Sequence, residues 1–153
     1  MKLDDPRTQQ GGDACRVQGR PLVSAPVLIV DDDDSIRETL RLALEEEGYA
    51  VFDASDGLAA LTMMRAAEQS MVVLLDHIMP GVDGASVLRQ ISAERELADR
   101  HSYVLITASA HVANLEEDVM ALPMPPVSVV RKPFDLDTLF AAVREANQRL
   151  ASS

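Results

Sequence analysis

Residues 27–34 run Val27-Leu28-Ile29-Val30-Asp31-Asp32-Asp33-Asp34, four aliphatic side chains followed at once by four carboxylates. An unbroken, largely β-branched aliphatic run reads as a strand buried on both faces of a parallel sheet, so the first aspartates stand at its carboxyl end. Ligands of open α/β sheets bind at that end. Asp is also a favoured helix N-cap, so a solvated capping turn is the competing reading. Capping suits Asp33 and Asp34. Asp31 and Asp32 fit either role until the rest of the chain is considered.

Three further apolar runs end in the same fashion. Met71-Val72-Val73-Leu74-Leu75 ends in Asp76, and His77-Ile78-Met79-Pro80-Gly81 then stops the strand and turns the chain. Tyr103-Val104-Leu105-Ile106 ends in Thr107, and Val127-Ser128-Val129-Val130-Arg131 ends in Lys132-Pro133. Intervals of 44, 31 and 25 residues separate Asp32, Asp76, Thr107 and Lys132. Each interval accommodates a strand-helix-strand unit or slightly more. A fifth, shorter strand is expected at Ala50-Val51-Phe52.

Between the strands the apolar spacing turns helical. Ile36, Leu40, Ala43 and Leu44 form one stripe that stops before Gly48, and Leu58, Leu61 and Met63 or Met64 form a second within 56–68. Val87, Leu88 and Ile91 mark a third, starting at Gly84. The last helix is capped by Asp135 and carries Leu136, Leu139, Phe140, Val143 and Leu150 inward. Alternation of strand and helix implies an α/β fold with a parallel sheet.

With 153 residues, 47% of them hydrophobic, the chain can build one domain with a proper core. It is short for two ordinary domains, which leads to the expectation of a stand-alone unit. The net charge of −11 carries no offsetting basic cluster, so direct nucleic-acid binding is not expected. Residues 1–24 are polar with Gly and Pro, and read as a flexible N-terminal extension to a domain at 25–153. They contain no apolar stretch for a signal peptide or membrane insertion. Cys15 is the sole cysteine, which fits a reducing, cytoplasmic setting without disulfides.

Three carboxylates at one edge, Asp31, Asp32 and Asp76, would with Lys132 leave about two negative charges uncompensated, a costly cluster unless a cation joins it. Hard oxygen donors select Mg²⁺, with Mn²⁺ as its substitute. Thr107 adds a hydroxyl and Lys132 an ammonium, two groups able to hold phosphoryl oxygens.

The stretches VLIVDDDDSIRETL, MVVLLDHIMPGVDG, VLITASA and VVRKPF, in this order, resemble the receiver domain of two-component response regulators over about residues 26–150. The resemblance implies a doubly wound, flavodoxin-like fold with a five-stranded parallel sheet in the order 2-1-3-4-5, flanked by helices. It implies that Asp76 is the phosphoacceptor, that Thr107 and Lys132 bind the phosphoryl group, and that Asp31, Asp32, Asp76 and the backbone carbonyl of Ile78 hold the metal. It further implies a sensor histidine kinase or phosphotransfer protein as donor, a downstream protein as reader, and no enzymatic turnover. A cis Lys132–Pro133 bond is common in the family. His77, His101 and His111 read as packing or surface residues.

Two stretches depart from the family pattern. Val129 stands where a switching Tyr or Phe is usual, and Ala121 to Pro126 replaces a Gly-Ala turn with a Pro-rich segment expected to shorten or redirect the preceding helix. These keep open a receiver-like scaffold that works without phosphorylation. A haloacid-dehalogenase-like phosphatase is a weaker rival: Asp31-Asp32-Asp33 satisfies its Asp-x-Asp pattern, but the Thr/Val pattern after it and a cap domain are missing.

Overall fold

The computed structural model describes residues 24–79, 81, 83–108 and 117–152. Residues 1–23 of the expected extension, with Cys15 among them, and His111 fall outside these. Five parallel strands form one sheet: β1 (Val27–Val30), β2 (Val51–Ala54), β3 (Val72–Asp76), β4 (Ser102–Ala108) and β5 (Ser128–Lys132). Their spatial order is β2-β1-β3-β4-β5, the expected 2-1-3-4-5. Helices lying wholly among the described residues include α1 (Asp34–Glu46), α2 (Gly57–Ala66), α3 (Gly84–Ala93), α4 (Arg95–Arg100) and α5 (Leu136–Ser152), and residues 117–120 are helical as well.

Alternation along the strands divides the core into two layers. Leu28, Val30, Val73, Leu75 and Leu105 pack on the side of α2 and α3 with Leu61, Met64, Val87, Leu88 and Ile91. Val27, Ile29, Val72, Leu74 and Ile106 pack on the other side with Leu40 and Leu44 of α1 and Leu139 and Val143 of α5. Burial on both faces is why β1 and β3 read as continuous aliphatic runs.

The caps follow from short polar side chains at helix starts. Asp33 accepts from the amides of Ser35 and Ile36, and Asp56, Asp83 and Asp135 accept from those of Ala59, Ser86 and Thr138. The capping interaction holds Asp83 and Asp135 below the usual carboxylate range. Gly48, at φ 99°, turns the chain after α1.

Several expectations need correcting. Ile36, Leu58 and Leu136 are exposed rather than inward-facing, because each lies in the first turn of its helix, beyond the sheet it would have to cover. The second strand reaches Ala54, two residues past the apolar run, because its ladder to β1 continues through the pairs Ile29 with Asp53 and Val30 with Ala54, and Arg41 pairs with the Asp53 side chain at 3.3 Å. Helix α4 was not anticipated: six residues burying only Leu97 and Ala98 show no readable period.

His101 is no surface residue. It is 2% exposed, its Nδ1 accepts from the Met71 amide at 3.0 Å, and its Nε2 lies 3.2 Å from the Met64 carbonyl. An acceptor at Nδ1 makes the ring neutral with its proton on Nε2, donating to a carbonyl in the last turn of α2. Burial lowers its pKa from 6.5. Tyr103 beside it donates its hydroxyl to the Leu97 carbonyl at 2.7 Å, and burial raises its pKa. Among the described residues no helix is long and apolar enough to cross a membrane.

Candidate phosphorylation site

At the carboxyl edge of the sheet the chain leaves β1 through Asp31 and Asp32 and leaves β3 through Asp76 and His77. The register pairs Val30 with Leu75, so these exits lie side by side. Asp31, Asp32 and Asp76 each offer a carboxylate oxygen within 4.8 Å of the others. Asp31 is 4% and Asp76 6% exposed, while Asp32 faces solvent. Lys132 Nζ, carried to the same edge by β5, stands 3.2 Å from Asp76 Oδ1. The Lys132–Pro133 peptide is cis, as expected.

Asp31 is anchored twice without using up its charge. Its Oδ1 accepts from the Asp33 amide at 2.9 Å, and its carbonyl accepts from Arg37 Nη1 at 2.7 Å. Burial raises its pKa above 3.8; the Asp33 amide opposes this, and the nearby Asp76 charge adds to it. Three carboxylates against one ammonium form a set that is oxygen-only, crowded and net negative, and it suits a small hard divalent cation. Ile78 follows in the loop two residues after Asp76, with its side chain exposed.

Thr107 reaches the same edge on β4, where its hydroxyl contacts His77. It is 1% exposed, and its hydroxyl lies 3.2 Å from His77 Nδ1 and 3.4 Å from the Ala108 carbonyl. The reading of His77 as packing or surface therefore misses a contact inside the site. Nothing in the sequence around His77 signals it, because the contact depends on β3 and β4 being adjacent. Gly84 completes the floor. Its amide donates to the His77 carbonyl at 2.8 Å, and a Cβ there would lie 2.6 Å from the Asp76 carbonyl oxygen and 2.9 Å from His77 Cα. The start of α3 is thus pressed against the peptide that carries Asp76.

The family model for the response regulator receiver domain matches residues 27–144. The chain belongs to that family. It is 38% identical over 123 residues to the transcriptional regulatory protein CseB of Streptomyces coelicolor, an alignment spanning 80% of this chain and 49% of CseB. To the response regulator MprA of Mycobacterium tuberculosis it is 36% identical over 127 residues, 83% of this chain and 52% of MprA. The solved CheY-like receiver domain from Methanospirillum hungatei superposes with a TM-score of 0.68 at 27% identity, covering 84% of this chain and 98% of that one.

The chain spans about half the length of these curated relatives. That overturns the expectation of a stand-alone protein without nucleic-acid contact, since one relative of twice the length is a transcriptional regulatory protein. The charge argument behind the expectation applies to the acidic receiver unit alone and is silent about what such a unit is joined to.

Proposed function

We propose that this receiver accepts a phosphoryl group on Asp76 from the phosphohistidine of a sensor histidine kinase or phosphotransfer protein. The observation that carries the reading is the buried Asp76 carboxylate with Asp31 and Asp32 within 4.8 Å and Lys132 at 3.2 Å. A carboxylate oxygen of Asp76 forms the new bond to phosphorus as the donor's P–N bond breaks, and the electron pair leaves with the imidazole. Positioning and charge stabilisation supply most of the acceleration in such transfers. Lys132 would neutralise phosphoryl oxygens, and Thr107 would donate a hydroxyl to them. Asp31, Asp32, Asp76 and the Ile78 carbonyl would hold Mg²⁺ or Mn²⁺, which when bound offsets the negative charge of acceptor and donor together. The protein acts as a stoichiometric acceptor rather than an enzyme, in the cytoplasm.

Incubation with a small phosphodonor and Mg²⁺ should add one phosphoryl mass to the intact protein, and none to Asp76→Asn. Undiminished labelling of Asp76→Asn would remove the assignment.

Ile36, Leu58, Ile78 and Leu136 are exposed on the helix starts and the loop that follow the carboxyl ends of the strands, apolar surface that would suit a protein donor. Output would run through protein contact at the face built by residues 117–126, β5 and α5. Val129, partly buried and paired with Leu105, replaces the usual aromatic ring there, so coupling would pass from Thr107 along the chain that follows it. Hydrogen exchange with and without beryllofluoride, Mg²⁺ present, should show protection changes within 108–126. Changes confined to the loops after β1 and β3 would exclude this route.

A further inference from the structure

The strand alternation that divides the core also divides the site. Val73 and Leu75 of β3 and Tyr103 and Leu105 of β4 face α2 and α3, whereas Leu74, Ile106 and Val130 face α1 and α5. Continued by one residue, the alternation places Asp76 and Lys132 on the second face, where they meet, and His77 and Thr107 on the first, where they also meet. The Thr107 hydroxyl accordingly meets the imidazole on the face opposite to the one that the alternation gives the Asp76 carboxylate.

His77 is held firmly enough to keep that contact. Its amide donates to the Ile106 carbonyl at 2.8 Å and its carbonyl accepts from the Gly84 amide at 2.8 Å, fixing the backbone between β4 and α3. Thr107 is buried, so few alternative partners reach its hydroxyl.

We infer that His77 is a positioning residue that holds the Thr107 hydroxyl in the resting state, so that capture of a phosphoryl group requires this contact to be surrendered. The inference rests on the proposed phosphorylation at Asp76. A ligand shifts a conformational equilibrium only by its differential interaction with the two states, and the His77 contact belongs to the resting one. Removing it should therefore favour the phosphorylated conformation, while the carboxylates and Lys132 stay untouched.

Calorimetric titration of beryllofluoride, with Mg²⁺ present, tests this. Loss of one such hydrogen bond should tighten binding to His77→Phe, which keeps a planar ring, by about threefold to tenfold. His77→Leu serves as a second variant should the phenyl ring not be accommodated. His77→Asn, which can again offer a polar atom near Nδ1, should return toward the parent affinity. In a Thr107→Val background, His77→Phe should change nothing, an outcome that a general loosening of the loop would not produce. Unchanged or weaker binding by both apolar variants overturns the inference, as does an equal gain with Thr107 absent. If the parent protein takes up no beryllofluoride, the Asp76 reading falls and carries this one with it; binding that is intact but indifferent to His77 removes this one alone.

Discussion

The two ends of the sheet treat buried polar groups in opposite ways. At the amino end, His101 uses both ring nitrogens, Tyr103 uses its hydroxyl, and Arg100 Nη1 donates to the Ala67 carbonyl at 2.8 Å. Ser102 Oγ is the exception, buried there without a hydrogen-bond partner among the described residues. At the carboxyl end, Asp31, Asp32 and Asp76 face a single ammonium and stay net negative. Satisfied groups rigidify a fold, whereas a cluster of like charges with too few counter-charges suits a site that takes up a cation. One end of this molecule joins strands to helices, and the other is arranged for a ligand.

The largest expected effect tests whether the carboxyl end also carries structure. Gly84→Val would drive a side chain into the Asp76 carbonyl and His77 Cα, both backbone atoms that cannot step aside. Destabilisation of about 3 kcal/mol or more is expected from overpacking of this kind. Chemical denaturation measures it, and a loss below about 1 kcal/mol would mean that α3 is free to shift off the site.

At the amino end, His101→Leu leaves the Met71 amide and Met64 carbonyl without their partner and should cost about 2 kcal/mol. The pH dependence sharpens the comparison. The folded-state pKa of His101 lies below its ordinary 6.5, so its contribution is fully present above 6.5. It is lost as pH falls from there through the folded value. Denaturation of the parent and the variant at pH 7.5 and 5.5 should therefore show their difference shrinking in acid. A difference independent of pH would remove His101 as the neutral link described above.

The smallest effect runs in the opposite direction. Burial raises the Asp31 pKa, so the charged form destabilises the metal-free fold as pH rises above 3.8. Asp31→Asn keeps an oxygen for the Asp33 amide and removes the charge. Without divalent cation it should gain about 1 kcal/mol at neutral pH, and the gain should vanish near pH 3. Melts in EDTA check this. A variant less stable than the parent would show that the acidic edge is not crowded.

Much of this arrangement was legible because it depends on local pattern. The strand order followed from resemblance, and Asp31, Asp32, Asp76 and Lys132 were identifiable because each lies just past a mainly apolar run and the runs come in the family's order. The contacts that were missed are non-local. His101 joins Met64 and Met71 across 37 and 30 residues, and His77 meets Thr107 across 30, while neither histidine sits in a pattern that announces a partner. Ile36, Leu58 and Leu136 fit helical periodicity but not burial, since periodicity tells which face a residue takes and not where the sheet beneath it stops.

The parallel register also governs the order in which the domain can be completed. Val27 pairs with Val51 and with Val72, so the two ladders of β1 close over 24 and 45 residues, and the next two over 30 and 24. None closes through a hairpin. During synthesis from the amino terminus, β1 is made before the other four strands of the sheet and remains unpaired on one edge until residue 72 has emerged. A run that is wholly buried in the finished molecule is thus exposed for a long stretch of the growing chain, and the carboxylates that follow it place charge beside it throughout the wait.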